Sequence, residues 1–301
     1  MMLQVSNNLW RTPISGSPRP LQIVENCRLE TIADITLLRA AWKKVRANKG
    51  GPGGDGVTLE AFGSKLEDNL KRISEALMNG RYRPAGLRRA RIAKADGRFR
   101  KLAIPSIMDR VAQTSMLLAL TPVLDPRMSE VSWGYRPGRG IDGALEQIRH
   151  GLESGYSWTL DADISKYFDR VPHKRLIEEL TIWADDERII ALVKRWLRSF
   201  SWFGRGIPQG APISPLLANL YLHPIDRLLV VEGYRVIRYA DDLVIQAKSE
   251  GAAEVAKKAL SRLLLGRGLN LNSPKTRIVP PGVKFTFLGQ DIDGPEYLAK
   301  S

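Results

Sequence analysis

The sequence predicts an α+β fold in which helices alternate with a few short strands. Apolar residues recur at steps of three and four through most of the chain, which is typical of amphipathic helices. Apolar runs that favour strands are few, and two of them end in aspartates, at Asp161 and Asp163 and at Asp241 and Asp242. The 301 residues contain no internal repeat and are enough for one large domain or two modest ones.

Composition excludes two classes of protein and points to a kind of partner. The chain is 44% hydrophobic and 26% charged, and no apolar run approaches the roughly 20 residues that span a bilayer, so we exclude a membrane protein and a disordered chain. Its net charge is +14, and clustered cations on a folded chain favour a polyanionic partner. The single cysteine, Cys27, cannot form an internal disulfide, which predicts a reducing compartment such as the cytoplasm.

The predicted helices follow from their apolar stripes and capping residues. A helix that carries Leu38 and Val45 ends at the glycine-rich residues 50–54, and Thr58 can cap the next one. Ser106 with Asp109 resembles a capping box. The remaining boundaries follow in chain order: Leu59 to Leu77, Ser106 to about Leu120, Ile141 to Leu152, His173 to Thr181, Asp186 to Arg198, Ser214 to Val231, and Glu250 to Leu265.

One segment concentrates positive charge. Residues 81–101 contain nine Lys and Arg residues and a single acid, Asp96, whereas a solvated helix face would intersperse acids for pairing. Because Pro84, Gly86 and Gly97 also disfavour a continuous helix, we predict a β-hairpin of residues 87–93 and 99–104 that presents cations to phosphate. The alternative is a basic surface that serves only solubility.

Two predicted strand ends carry the candidate catalytic acids. Asp161 and Asp163 share one face of a strand over residues 157–164, because strand side chains alternate. Asp241 and Asp242 lie in the turn of a buried hairpin formed by residues 234–239 and 243–247. If the two strand ends meet, the carboxylates repel one another unless divalent cations neutralise them, and oxygen ligands suit Mg²⁺. Two such ions roughly 4 Å apart can activate a 3′-hydroxyl and stabilise a departing pyrophosphate.

Longer motifs give a family resemblance. The box Tyr239-Ala240-Asp241-Asp242 and the stretch from Gly206 through Pro208-Gln209-Gly210 to Leu217-Ala218-Asn219 together resemble the reverse transcriptases, specifically the bacterial group II intron type. The resemblance covers about residues 35 to 295. Further matching segments are 54–57, 94–110, the Gly134-to-Arg139 box, 271–276 and 287–289.

The resemblance implies a right-hand polymerase fold, with helical fingers that carry the basic β-hairpin and a palm with a small antiparallel sheet packed on helices. It divides the chain into an N-terminal tail (1–28), fingers (29–139) and palm (140–301). Full intron-encoded proteins of this kind continue into a helical thumb. We expect that this sequence, which ends at Ser301, does not include the thumb. Two explanations are open: the sequence is a truncated piece of a longer protein, or it belongs to a short lineage in which another chain supplies the thumb.

The resemblance also implies residue roles. Asp163, Asp241 and Asp242 are the expected catalytic acids and, with the main-chain carbonyl of Ile164, the expected ligands of two Mg²⁺ ions, with Mn²⁺ as a substitute. Asp161 is then a strand residue outside the primary ligands. Expected nucleotide-binding residues are Lys94, Arg100, Phe168, Gln209 and Lys275. Expected nucleic-acid-binding residues are Arg88, Arg89, Arg91, Arg136 and Arg139.

Several of these roles have alternatives. Lys275 is a candidate general acid for the leaving pyrophosphate or a simple phosphate contact, and Phe168 is a wall of the sugar pocket or a core side chain. Arg136 and Arg139 contact the template backbone or hold a turn. The expected partners are an RNA template, a DNA or RNA primer, deoxynucleoside triphosphates and a structured intron RNA. An RNA-directed RNA polymerase and a non-catalytic RNA-binding splicing cofactor are the rival functions.

Overall fold

The computed structural model describes residues 28–93, 97, 99–201 and 203–293. Lys94, predicted to bind nucleotide, lies outside the described residues, and Arg100 is described only by its backbone position in a strand. Eleven α-helices fall in these ranges: α1 (Leu29–Ala33), α2 (Ile35–Ala47), α3 (Leu59–Gly63), α4 (Leu66–Met78), α5 (Ile107–Leu124), α6 (Ile141–Glu153), α7 (Tyr167–Arg170), α8 (His173–Trp183), α9 (Glu187–Phe200), α10 (Ser214–Val231) and α11 (Glu250–Gly266).

The strands form three separate antiparallel units. The first two strands pair as a hairpin, the next four form a sheet in the order β4-β5-β3-β6, and the last two form a second hairpin. Their bounds are β1 (Arg88–Ala93), β2 (Phe99–Ile104), β3 (Trp158–Asp163), β4 (Arg235–Tyr239), β5 (Asp242–Ala247), β6 (Arg277–Val279), β7 (Phe285–Phe287) and β8 (Gln290–Ile292).

The predicted helix from Leu59 to Leu77 is wrong as a single element. Thr58 caps α3 as expected, its hydroxyl accepting a bond from the Ala61 N–H at 3.1 Å, but the helix ends at Gly63. Lys65 leaves helical geometry, and Asn69 reaches back to donate to the Phe62 carbonyl at 2.9 Å. Because the apolar spacing stays in phase across this break, periodicity alone could not reveal it.

The capping residue of α5 is confirmed, and the helix extends beyond its predicted end. The Ser106 hydroxyl accepts a bond from the Asp109 N–H at 3.0 Å. The Asp109 carboxylate accepts bonds from Ser106, from the Tyr82 hydroxyl and from the Ala85 N–H, so it anchors the chain that leads into the β1–β2 hairpin. The helix continues to Leu124 with Pro122 inside its last turn.

A continuous apolar core joins the N-terminal helices to the central sheet. One buried cluster runs from Leu29 in α1 through α2, α4, α5, α8, α9 and α10 to the inner residues of β3 and β5. A smaller cluster packs α6 and β7 against the other side of the sheet. The fingers and palm boundary at residues 139 and 140 stays a prediction. None of the described helices is long and apolar enough to cross a membrane.

Candidate active site

The predicted acids meet at one end of the central sheet. Asp163, the last residue of β3, is the register partner of Asp242, the first residue of β5. The Ile164 N–H donates to the Asp241 carbonyl at 3.3 Å, which fastens the chain after β3 to the turn between β4 and β5. Strand ends that are 79 residues apart in the sequence therefore present their carboxylates at the same sheet edge.

The electrostatics of this edge reflect the crowding of like charges. Burial, followed by the nearby carboxylates of Asp241 and Asp163, raises the pKa of Asp242 to about 7. Burial also raises the pKa of Asp161, although a bond from the Arg277 Nε at 3.2 Å opposes the shift. Asp161 is thus engaged by an arginine on β6, and its place outside the primary ligands stays a prediction.

Two side chains from the segment after α11 contact Asp163. Lys275 Nζ lies 3.0 Å from Asp163 Oδ2, and Asn272 Nδ2 donates to the same oxygen at 2.6 Å. The Asn272 N–H also donates to the Asp163 carbonyl at 2.8 Å. Lys275 was predicted from its motif, whereas Asn272, which precedes it in the same motif, was not assigned a role. The sequence signal that could have identified Asn272 is its position, as a polar residue, within that motif.

The donor set at this edge fits a hard divalent cation in its chemistry. Carboxylate oxygens such as those of Asp163, Asp241 and Asp242, and a main-chain carbonyl such as that of Ile164, are the ligand types that Mg²⁺ prefers, and a bound cation would relieve the repulsion among the carboxylates. In the described residues, no three His, Cys, Asp or Glu side chains are grouped closely enough to hold a metal ion together. Lys275 instead supplies the positive charge beside Asp163.

The loop that carries Gln209 is hydrogen-bonded to strand β2 and to Phe168, another predicted nucleotide-binding residue. The Gln209 carbonyl accepts a bond from the Ala103 N–H of β2 at 2.8 Å, and the Ile207 N–H donates to the Phe168 carbonyl at 2.7 Å. Tyr167 is buried and its hydroxyl donates to the Ala218 carbonyl at 2.6 Å, whereas Phe168 is only half-buried. Phe168 is also packed against the main core cluster, so both of its predicted roles, wall of the sugar pocket and core side chain, stay open.

The arginines of the β1–β2 hairpin divide between its two faces. Arg91 is the register partner of Lys101, so these two cations and Arg89 share one face, while Arg88 lies on the other. The Arg88 Nε donates to the Pro52 carbonyl at 2.8 Å, which fastens the hairpin to the glycine-rich loop. Arg88 therefore braces the hairpin, and its nucleic-acid contact stays a prediction, while Lys101 joins Arg89 and Arg91 in what we call the basic face.

Of the two roles predicted for Arg136, the structure favours holding a turn, because the guanidinium is buried and fully engaged. It pairs with Asp125 at 2.7 Å and donates to the carbonyls of Asp125, Ser129 and Ser132. Arg139 pairs with Glu130 and stacks on Trp133, with its guanidinium carbon 4.9 Å from the ring centroid. Arg136 stabilises the turn before α6, and the template role of Arg139 stays a prediction.

The fold and the acid cluster together define the palm of a template-directed nucleic-acid polymerase. Residues 92–292 match the family model described as "Reverse transcriptase (RNA-dependent DNA polymerase)". The chain therefore belongs to the reverse transcriptase family and is an RNA-directed DNA polymerase by that membership. Enzymes of this family use divalent metal ions.

Individual proteins show the extent of the similarity. The chain is 29% identical to protein YkfC of Escherichia coli over 80% of its own length and 75% of that protein. It is 30% identical to the group II intron-encoded protein LtrA of Lactococcus lactis over 63% of its own length, but it spans only 33% of LtrA. A telomerase structure from Candida albicans shares the fold, with a TM-score of 0.54 and 12% identity over 79% of this chain and 50% of that one.

Proposed function

We propose that this chain extends a DNA or RNA primer on an RNA template by adding deoxynucleotides to the 3′-hydroxyl. The observation that carries the proposal is the register pairing of Asp163 with Asp242, which brings three acids to one sheet edge. Membership of the reverse transcriptase family supports this chemistry. Two Mg²⁺ ions, with Mn²⁺ as a substitute, would activate the 3′-hydroxyl and neutralise the developing pyrophosphate charge when bound there.

The residues around the acids have distinct proposed roles. Asp163, Asp241 and Asp242, with the Ile164 carbonyl, hold the metal ions, and Lys275 donates a proton to the departing pyrophosphate or contacts its phosphates. Phe168 lies against the sugar and excludes a 2′-hydroxyl by volume. Gln209 orients the base pair, since its loop is fastened to β2. Lys94 and Arg100 contact the triphosphate, for which a bidentate arginine is well suited.

The nucleic-acid contacts follow from charge. The basic face of Arg89, Arg91 and Lys101 is exposed. Arg91 and Lys101, which are register partners, repel each other unless an anion lies between or beside them. We assign this face to template phosphates. The similarity to LtrA supports an intron-encoded origin with a structured intron RNA as a further partner. A cytoplasmic location is a further part of the proposal.

Primer extension distinguishes this function from its rivals. A labelled primer is annealed to an RNA template and incubated with Mg²⁺ and either deoxynucleotides or ribonucleotides. We expect extension with deoxynucleotides and little with ribonucleotides. A preference for ribonucleotides would identify an RNA-directed RNA polymerase, and RNA binding with no extension in either mixture would favour a non-catalytic splicing cofactor.

A further inference from the structure

A buried arginine lies directly beneath the turn that carries two of the acids. Arg238, in β4, is 1% exposed, and all five of its guanidinium N–H groups are directed at protein acceptors. It forms a bidentate pair with Asp226 of α10 at 2.7 and 2.6 Å. Its remaining bonds go to Asn219 Oδ1 at 3.0 Å, Ser132 Oγ at 2.8 Å and the Ala240 carbonyl at 2.9 Å.

Core stability does not require this arrangement. A buried ion pair is costly to desolvate, and apolar residues of similar volume often stabilise a protein as well or better. The feature that an apolar residue could not replace is the bond to the Ala240 carbonyl, because that residue begins the acidic turn. Ala240 adopts φ +58, a left-handed conformation that is unfavourable for a residue with a Cβ and needs support from its surroundings.

The same network fastens a second segment against the turn. Asn219, which accepts from Arg238, donates to the Gly134 carbonyl at 2.7 Å. Gly134 lies so close to the turn that a Cβ added there would be 2.7 Å from the Ala240 nitrogen. The Trp133 N–H donates to the Arg238 carbonyl at 2.8 Å, so β4, α10 and residues 132–134 converge beneath the acids.

We propose that Arg238 is a positioning residue, which holds the Ala240 turn so that Asp241 and Asp242 face Asp163 with the separation that the metal ions require. It touches neither substrate nor metal. Asp226, Asn219 and Ser132 orient its guanidinium, and Gly134 lets the supporting segment approach the turn. The effect on catalysis rests on the proposed primer extension, whereas the effect on metal binding rests only on the proposed metal ligands.

The test compares two buried arginines of the same fold. Arg238→Lys keeps the charge but loses the planar fork that reaches Ala240 and Asp226 together. Arg267→Lys is the matched control, because Arg267 is also buried and pairs with Glu179 at 2.8 Å, and neither partner belongs to the acidic edge. Both variants are expected to lower the melting temperature, and assays are run below the lower transition.

Two readouts separate positioning from general destabilisation. The first is the Mg²⁺ concentration for half-maximal single-turnover deoxynucleotide addition, and the second is Mn²⁺ binding followed by electron paramagnetic resonance on the enzyme–primer–template complex. We expect Arg238→Lys to weaken both by about tenfold or more, the usual scale for residues that orient metal ligands, while Arg267→Lys retains the parent values. Equal shifts in both variants, or unchanged metal dependence in Arg238→Lys, would overturn the proposal.

A milder variant keeps the test decisive if Arg238→Lys does not fold. Ser132→Ala removes one bond to the guanidinium, and we expect a smaller shift in the same direction for both readouts. No shift in Ser132→Ala would then count against the network. If the parent binds Mn²⁺ but adds no nucleotide, the proposed function fails, and the Mn²⁺ comparison still decides the role of Arg238.

Discussion

Lys275 Nζ lies 3.0 Å from Asp163 Oδ2, so the first acid of the site is paired with a lysine from a segment that follows it by more than a hundred residues. The Asn272 amide shares the same oxygen. This pairing brings a proton-bearing cation to the edge where pyrophosphate would leave. It also gives the carboxylate a counter-charge that a metal ion would have to share or displace.

The first prediction distinguishes the two roles of Lys275. Lys275→Met should lower the single-turnover rate of nucleotide addition by about 10² or more, the range for loss of a general acid. Lys275→Arg keeps the charge but cannot release its proton, so it should recover less than about a tenth of the lost rate. Full recovery by arginine would indicate a phosphate contact without proton transfer.

The second prediction concerns the basic face. Replacing Arg89, Arg91 and Lys101 by Ala should weaken RNA binding for all sequences and reduce the slope of log K against log salt by about 2, since each single-strand phosphate contact contributes about 0.7. Arg88→Ala should leave the slope nearly unchanged, because the Arg88 Nε is bonded to the Pro52 carbonyl and its side chain lies on the other face of the hairpin. If the triple variant has the same slope as the parent, the basic face does not contact RNA phosphates and is only a solvated surface.

The third prediction tests sugar discrimination. Phe168→Val should admit ribonucleotides, with a loss of discrimination of roughly 1–3 kcal/mol in kcat/KM for dCTP against CTP. Tyr167→Phe is the control: it loses the bond to the Ala218 carbonyl, worth about 1 kcal/mol of stability, and should keep the parent ratio. If the ratio is the same in Phe168→Val as in the parent, the ring serves only the core.

The fourth prediction is a pH dependence of stability from His223. Its Nδ1 accepts a bond from the Ser129 N–H at 3.2 Å, and burial followed by the charge of Arg227 lowers its pKa to about 3. Below pH 6.5 the unfolded chain binds a proton on His223 that the folded chain does not. The free energy of unfolding therefore decreases as the pH is lowered, by about 1.4 kcal/mol per pH unit from about pH 6.5 towards 3.

Urea unfolding measures this contribution. Between pH 7.5 and 5.5 we expect His223 to remove about 1.4 kcal/mol of the free energy of unfolding. His223→Gln should show a correspondingly shallower dependence, even if it is less stable overall. The assignment is contradicted when parent and variant lose the same free energy over this interval.

The elements that bear the acids could be predicted because their local patterns are strong. Apolar residues flank Asp241 and Asp242 on both sides, and the β4–β5 hairpin formed as expected. The meeting of Asp163 with Asp242 could not be derived from periodicity, since strand register depends on contacts between distant segments. From the sequence, the meeting of these two acids could be stated only as a condition for the metal site and as an implication of the family resemblance.

The arginines show what sequence cannot distinguish. Three arginines illustrate the difficulty. Arg91 is exposed, whereas Arg136 and Arg238 are buried and form ion pairs. Burial depends on which segments pack over a side chain, and that information is tertiary. The role of Arg238 therefore became visible only with its contacts, although it directly precedes the acidic box.

The separation of catalysis from RNA binding in the acid variants tests the central claim most directly. Single-turnover nucleotide addition and RNA affinity are measured for the parent, Asp163→Asn and Asp241→Asn. We predict that each variant loses several kcal/mol of transition-state stabilisation, so that extension is abolished, while RNA binds as tightly as to the parent or slightly more tightly because an anion has been removed. Extension by Asp241→Asn at a rate near that of the parent would contradict the account.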